Sequence, residues 1–345
     1  MKAVRAHNRC LPGLSWWPSL LLLAGCAGAP LSTFAPKSDL ARSIVSLYWQ
    51  IIGWDTLILL VVFVTFLLGL FRYSTRATRD IEPPHASGSH IGLEFAWTLG
   101  PALVILAIAI PTVRLNFRSQ PSLAVGQALA VRVVGHQWWW EIEYPDLGIR
   151  TANEIHLPIG TRVQFLLESA DVIHSFWVPQ LGGKRDIIPG HTNTLVLTPE
   201  VEGMYYGECG EFCGLSHANM RFRVFVDSAE RFDAWKGLQL TPAGVPAAAR
   251  DGSENPAQAG ERVFARSACT PCHAINGVAS GKFGPDLTHF GGRTTLAGGT
   301  LDNTPENLAA WLRDPEALKP GAQMPNFGLG DEQLAALVAY LESLK

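Results

Sequence analysis

The chain has 345 residues, 48% of them apolar, with a formal charge of −3 and a mean hydropathy of +0.14. That is too long and too apolar for one simple soluble domain, so two or three units are expected. With 27 basic against 30 acidic residues there is no basic surface and no charged tail, and nucleic-acid binding is set aside.

Lys2, Arg5 and Arg9 precede an apolar stretch, LSWWPSLLLLAG, of the length of a secretory signal core, and small residues follow it. A signal peptide over residues 1–25 is expected to be removed. Its ending, Leu23-Ala24-Gly25-Cys26, resembles the lipobox of bacterial lipoproteins, in which Cys26 becomes a lipid-bearing N-terminus. The alternative is an ordinary signal with an incidental cysteine.

Residues 26–118 are expected to form a transmembrane hairpin. Tyr48 to Phe71 is a run of 24 residues broken by one charge, Asp55, long enough to cross a hydrocarbon core of about 30 Å. Phe95 to Val113 is a second run, uncharged over 19 residues, in which Pro101 and Pro111 should kink the helix or end it early. Arg72, Arg76 and Arg79 put the intervening loop in the cytoplasm, so everything after Arg114 is exported. The expected location is a bacterial inner membrane.

Over 119–228 the pattern changes to short β-rich runs, among them ALAVRVVGHQWWWEIEY, TRVQFLLES and RFRVFVD, at the spacing of an antiparallel sandwich. Residues 229–255, rich in Ala, Pro and Gly, are expected as a flexible linker. A helical unit fills 256–345. Its first helix is expected from Pro256 to Ser267, and its last starts at Asp331.

Four of six cysteines form two close pairs, which suits metal or cofactor chemistry better than a disulfide framework. In CGEFCGLSHANM, Cys209 and Cys213 stand four apart, and His217 and Met220 follow; His174 ends a predicted strand upstream. Thiolate, imidazole and thioether together select electron-transfer copper. Two bridging thiolates, two histidines, one methionine and one main-chain carbonyl give each of two coppers four ligands, so the count closes on a binuclear centre. A disulfide would leave His217 and Met220 unexplained, and zinc would leave Met220 unused. His136, His156 and His191 read as surface or hydrogen-bonded residues.

The segments HSFWVPQLGGKRDIIPG and YYGECGEFCGLSHANM resemble the copper-A domain of the cytochrome c oxidase subunit II family, and the resemblance runs from about Tyr48 to Val226. It implies a cupredoxin-like β-sandwich and a copper-A site on His174, Cys209, Cys213, His217 and Met220, with Glu211 contributing its backbone carbonyl. It also implies that the Glu211 side chain reaches a magnesium at the interface with subunit I, and that Trp138 is the electron-entry residue. Trp139 stands where many members carry tyrosine. Glu94, at the cytoplasmic mouth of the second span, matches the family's glutamate at a proton-pathway entrance; the alternative is a solvated helix-end residue.

CTPCH at 269–273 is the attachment signature of a c-type haem, with Cys269 and Cys272 as thioether links and His273 as proximal ligand. Met324 is the methionine that follows this motif and the expected sixth ligand, with His289 as the alternative. Residues after Pro256 resemble an all-α class I cytochrome c, and the whole resembles subunit II of the caa-type oxidases. That implies an electron conduit from an external donor, a bc-type complex or soluble cytochrome, through haem c and copper A to a haem-copper subunit I that reduces oxygen. The weighed alternatives are a copper-A subunit of a nitric oxide reductase and a membrane-anchored carrier or copper-delivery protein.

Overall fold

A computed structural model of the chain describes residues 29–74, 90–120, 126–242, 244 and 255–345. The signal segment, Cys26, Arg76, Arg79 and most of the stretch from 243 to 254 lie outside the described residues.

Helices α1 (Asp39–Tyr73, 35 residues) and α2 (Ile91–Arg118, 28 residues) are both longer than their apolar runs. The added first turns of α1 belong to the exported domain. Ser38 caps the helix by accepting from Ala41 N at 3.0 Å, and its hydroxyl donates to Leu181 O at 2.5 Å. Leu40 and Ala41 are buried there, and Asp39 Oδ1 accepts from Thr198 N at 2.7 Å. After α2, Val196 N donates to Ser119 O at 3.1 Å, so both ends of the hairpin are sewn to the same sheet edge. The central turns of both helices bury nothing, as a lipid-facing pair should. Pro101 and Pro111 do not end α2, which runs on to Arg118. Each proline forfeits one backbone bond, a loss that a long helix with intact turns on both sides absorbs.

Ten strands make a two-sheet sandwich. One sheet holds β1 (Leu129–His136), β2 (Trp139–Tyr144), β3 (Ile149–Ala152), β5 (Val163–Ser169) and β8 (Asn193–Leu197) in the order β3-β2-β1-β5-β8. The other holds β4 (Glu154–Pro158), β6 (His174–Trp177), β7 (Arg185–Ile187), β9 (Gly203–Cys209) and β10 (Arg221–Asp227) in the order β4-β10-β9-β6-β7. Two pairings, β1 with β5 and β4 with β10, are parallel, which corrects the expectation of an antiparallel sandwich. Alternation reports which face a side chain takes but not strand direction, and these partners are far apart in sequence. Trp140, Phe176 and Phe222 fill the centre, with the two phenylalanine rings stacked at 4.8 Å.

The expected linker starts late, because Ala229–Gln239 is a helix, α3. Ser228 caps it, Phe232 is buried, and Trp235 stacks on His156 at 4.5 Å. Two aromatic anchors three apart are too sparse to register as a helical stripe, yet they fasten α3 to the sandwich.

The C-terminal unit is built on α4 (Pro256–Arg266) crossing α7 (Asp331–Ser343), with α5 (Pro305–Arg313) and α6 (Pro315–Leu318) between them. Gly260 permits the crossing: a Cβ there would lie 2.0 Å from Ala336 O. Phe264, Leu337, Tyr340 and Leu341 close the core beneath it.

Candidate redox sites

The start of β6, the end of β9 and the loop behind it gather sulfur and nitrogen donors in one place. Cys209 Sγ lies 3.7 Å from Cys213 Sγ, 3.9 Å from His174 Nδ1 and 3.2 Å from Glu211 O. Cys213 Sγ lies 3.6 Å from His217 Nδ1 and 3.8 Å from Met220 Sδ. Three side chains, His174, His217 and Met220, and the Glu211 carbonyl therefore surround the two thiol sulfurs. At 3.7 Å the sulfurs are not bonded, a disulfide being near 2.05 Å, and both cysteines are free. His174 and Met220 are fully buried. The loop is tied by Cys209 N to Met220 O at 3.1 Å and Gly210 N to Ser175 O at 2.9 Å.

The surroundings orient these donors. Asp171 Oδ1 holds His174 Nε2 at 2.7 Å, leaving Nδ1 turned to Cys209. Gly135 clears the imidazole, because a Cβ there would meet His174 Cδ2 at 2.8 Å. The hydrogen bond from Cys213 pushes the Cys209 thiol down to about 3, while the same contact pushes Cys213 up. A buried, thiolate-bearing set of two sulfurs, two imidazoles, a thioether and a carbonyl fits copper and fits no hard cation. Glu211 turns its carboxylate outward, 3.6 Å from Lys184 Nζ.

A cavity of about 350 Å³ lies between the C-terminal unit and the sandwich, lined by Cys269, Cys272, His273 and Met324 together with apolar Phe283, Leu287, Phe290 and Trp311, and on the sandwich side by Trp138 and Trp139. His273 Nδ1 sits 2.8 Å from Pro285 O, which leaves Nε2 for a ligand in the cavity. Burial holds this imidazole below its ordinary pKa, so it is neutral at pH 7 and able to ligate. Gly284 gives the ring room, since a Cβ would lie 2.6 Å from His273 Cε1. His289 is buried but is not among the lining residues. An open apolar cavity with two thiols, an oriented imidazole and a thioether fits a covalently linked haem.

Trp138 joins the two sites. Its indole Nε1 donates to Cys213 O at 3.1 Å, and the same ring lines the cavity of the C-terminal unit. Gln137 Nε2 donates to the same carbonyl at 2.7 Å. Trp139 stacks on His136 at 4.2 Å, and Trp140 goes into the core. The three adjacent tryptophans thus take three different environments.

Comparison with known proteins matches residues 35–115 to the family described as cytochrome c oxidase subunit II, transmembrane domain, and 148–226 to its periplasmic domain. Residues 257–345 match cytochrome c. A cytochrome c oxidase subunit 2 of Alkalihalophilus pseudofirmus is 37% identical over 100% of this chain and 99% of its own length. The chain belongs to the cytochrome c oxidase subunit II family. A second relative of that name, from Bacillus sp. strain PS3, is 37% identical over 94% of each chain. The solved periplasmic domain of subunit II of cytochrome oxidase of Bradyrhizobium japonicum is 31% identical, covers 34% of this chain and 96% of that one, and has a TM-score of 0.32.

Within this subunit II some site residues carry no motif that sequence reading could catch. Asp171 meets the cluster through His174 Nε2, and the Gln137 side chain meets it through the Cys213 carbonyl. Lys319 reaches Trp138 O at 2.6 Å and Ala297 O at 2.8 Å from the other domain, and Arg293 lines the cavity with its buried Nε unbonded among the described residues. Glu94 lies in the first turn of α2, and Asp55 is on the exposed surface of α1.

Proposed function

We propose that this chain, the electron-transfer subunit of a terminal oxidase, takes electrons at its C-terminal domain and delivers them through its sandwich domain to a partner subunit that reduces oxygen. The observation that carries the residue assignment is Trp138. Its indole bonds the carbonyl of Cys213, inside the sulfur–nitrogen cluster, and forms a wall of the cavity that holds Cys269, Cys272, His273 and Met324.

In this reading His174, Cys209, Cys213, His217, Met220 and the Glu211 carbonyl hold two coppers. Cys269 and Cys272 would bond the haem, and His273 and Met324 would supply the donors to its iron. When bound, the two groups supply reversible one-electron chemistry. The chain's own part is to fix the donors before the metals arrive, which Asp171 does at His174 and the Met220–Cys209 backbone bond does at the loop. Trp138 fills the gap between the sites with a polarisable ring, where water would otherwise enter.

Neither α1 nor α2 contains a histidine, so a haem-copper pair cannot be held within the bilayer by this chain. Oxygen reduction therefore belongs to the haem-copper subunit I. We assign the outward carboxylate of Glu211 to a magnesium at that interface, Phe212, 77% exposed on the copper loop, to contact with the same partner, Glu94 to proton uptake, and Cys26 to lipid attachment. Purifying the complex from membranes and measuring oxygen uptake with a reduced cytochrome donor tests the reading. Uptake abolished by Trp138→Ala, with both redox groups still present, supports it; isolation as a single-subunit protein without oxygen uptake refutes it.

A further inference from the structure

Residues 294–321 meet the sandwich in one specific, polar interface. Glu154 Oε1 accepts from N and Oγ1 of both Thr294 and Thr295 at 2.6 to 3.0 Å. Arg221 N donates to Gly298 O at 2.9 Å, and Ser216 Oγ donates to Pro320 O at 2.5 Å. Three glycines with φ of +72°, +73° and +82° make the approach possible: Gly298, Gly299 and Gly321 would each drive a Cβ to within 2.9 Å of Lys319 Nζ, the Arg221 backbone or the Trp138 ring.

At the centre is Lys319, 4% exposed. Its ammonium bonds two carbonyls, Trp138 O at 2.6 Å in the sandwich domain and Ala297 O at 2.8 Å in its own domain, and among the described residues its hydrogen bonds include no carboxylate. Burying a cation against neutral partners is costly, and burial pushes this group down to about 7. An apolar residue would fill the same space more cheaply. What the lysine adds is a fixed link between the backbone of the aromatic residue at one redox site and the wall of the other.

We propose that Lys319 is a positioning residue for electron transfer, bridging Trp138 O and Ala297 O so that the Trp138 ring stays seated between Cys213 and the cavity of the C-terminal domain. This rests on the function proposed above. The step it serves is one electron lost by the haem and one gained by the copper pair, with no proton transferred.

The test uses the full-length holoprotein in its complex. Lys319→Met keeps the apolar stem and removes the donors, and Asp302→Asn removes the charge from the exposed Arg223 ion pair at the rim of the same interface. Photo-induced transfer from haem to copper should slow about tenfold or more in Lys319→Met, because losing charge-assisted bonds shifts an equilibrium by at least that factor. Asp302→Asn should stay within about twofold, the usual weight of an exposed pair. Hydrogen exchange at the Arg221 amide, which needs no turnover, should accelerate with Lys319→Met, while haem and copper absorbance and both midpoint potentials hold. Wild-type transfer and exchange in Lys319→Met overturn the proposal. Should that variant lose its haem, Gly298→Ala displaces the same ammonium and must slow transfer equally; an unchanged rate there overturns the proposal too. A wild-type preparation lacking either redox group overturns the functional reading itself.

Discussion

Asp171 offers the sharpest single test of how the copper site is held, because both of its oxygens are committed. Oδ1 meets His174 Nε2 at 2.7 Å and accepts from Val172 N at 2.7 Å, while Oδ2 accepts from Gln137 N at 2.6 Å. Replacing it by asparagine leaves one acceptor for two arms. The amide nitrogen must then face either the Gln137 N–H or the Val172 N–H, so one hydrogen bond to a charged carboxylate is lost, together with the negative charge beside His174. A bond of this kind is worth about 1–3 kcal/mol, or roughly 5-fold to 150-fold in an equilibrium constant. Removing the outer partner of a metal-ligating histidine commonly costs about 10–100-fold in affinity. Asp171→Asn should therefore weaken copper binding by about 10–100-fold and leave haem attachment untouched. Competition against a copper chelator, read in the full-length protein with haem absorbance as the internal standard, measures this. Copper affinity within about twofold of wild type would refute the claim that Asp171 orients His174.

Gly260→Val should lower the melting temperature of the C-terminal domain, followed by haem absorbance, because a branched side chain at the α4–α7 crossing strikes Ala336 O and overpacking costs about 1–3 kcal/mol. Phe222→Ala should destabilise the sandwich by about 3–5 kcal/mol in chemical denaturation, since the ring is fully buried between Trp140 and Phe176. Met324→Leu should abolish the methionine-ligated haem spectrum, whereas His289→Phe should leave it intact, because His289 does not line the cavity. Glu168 gives a pH signature: the hydrogen bond from Arg132, at 2.7 Å, holds its carboxyl below its ordinary value of 4.5 in the folded state. Its stabilisation is complete above that ordinary value and fades as the pH falls through the lowered one. The stability gap between wild type and Glu168→Gln, about 0.5–1 kcal/mol for a partly exposed pair at neutral pH, should close in acid.

The parts of this molecule that are local in sequence could be read from it. The C-x-x-C-H motif and the Cys-rich loop each announce their chemistry within a dozen residues, and the two apolar runs do so within about two dozen. His174 opens β6 and does not end a strand as expected, because the strand's bounds follow from its pairing with β7 and β9. What resisted reading depends on contacts between distant segments. The parallel pairing of β1 with β5 leaves no trace in alternation, and α3 depends on Phe232 and Trp235 finding a surface that only the folded sandwich provides. Lys319 looks like any surface lysine before a Pro-Gly turn. Its burial exists only because the two domains close over it, and the glycines that allow the closure look, in sequence, like ordinary loop residues.

The most direct measurement of the central claim is elemental and haem analysis of the purified full-length protein. Two coppers for each covalently bound haem, with the copper lost and the haem kept when Cys209 and Cys213 are replaced by serine, is the predicted result. A single zinc, or copper that survives the double replacement, would contradict it.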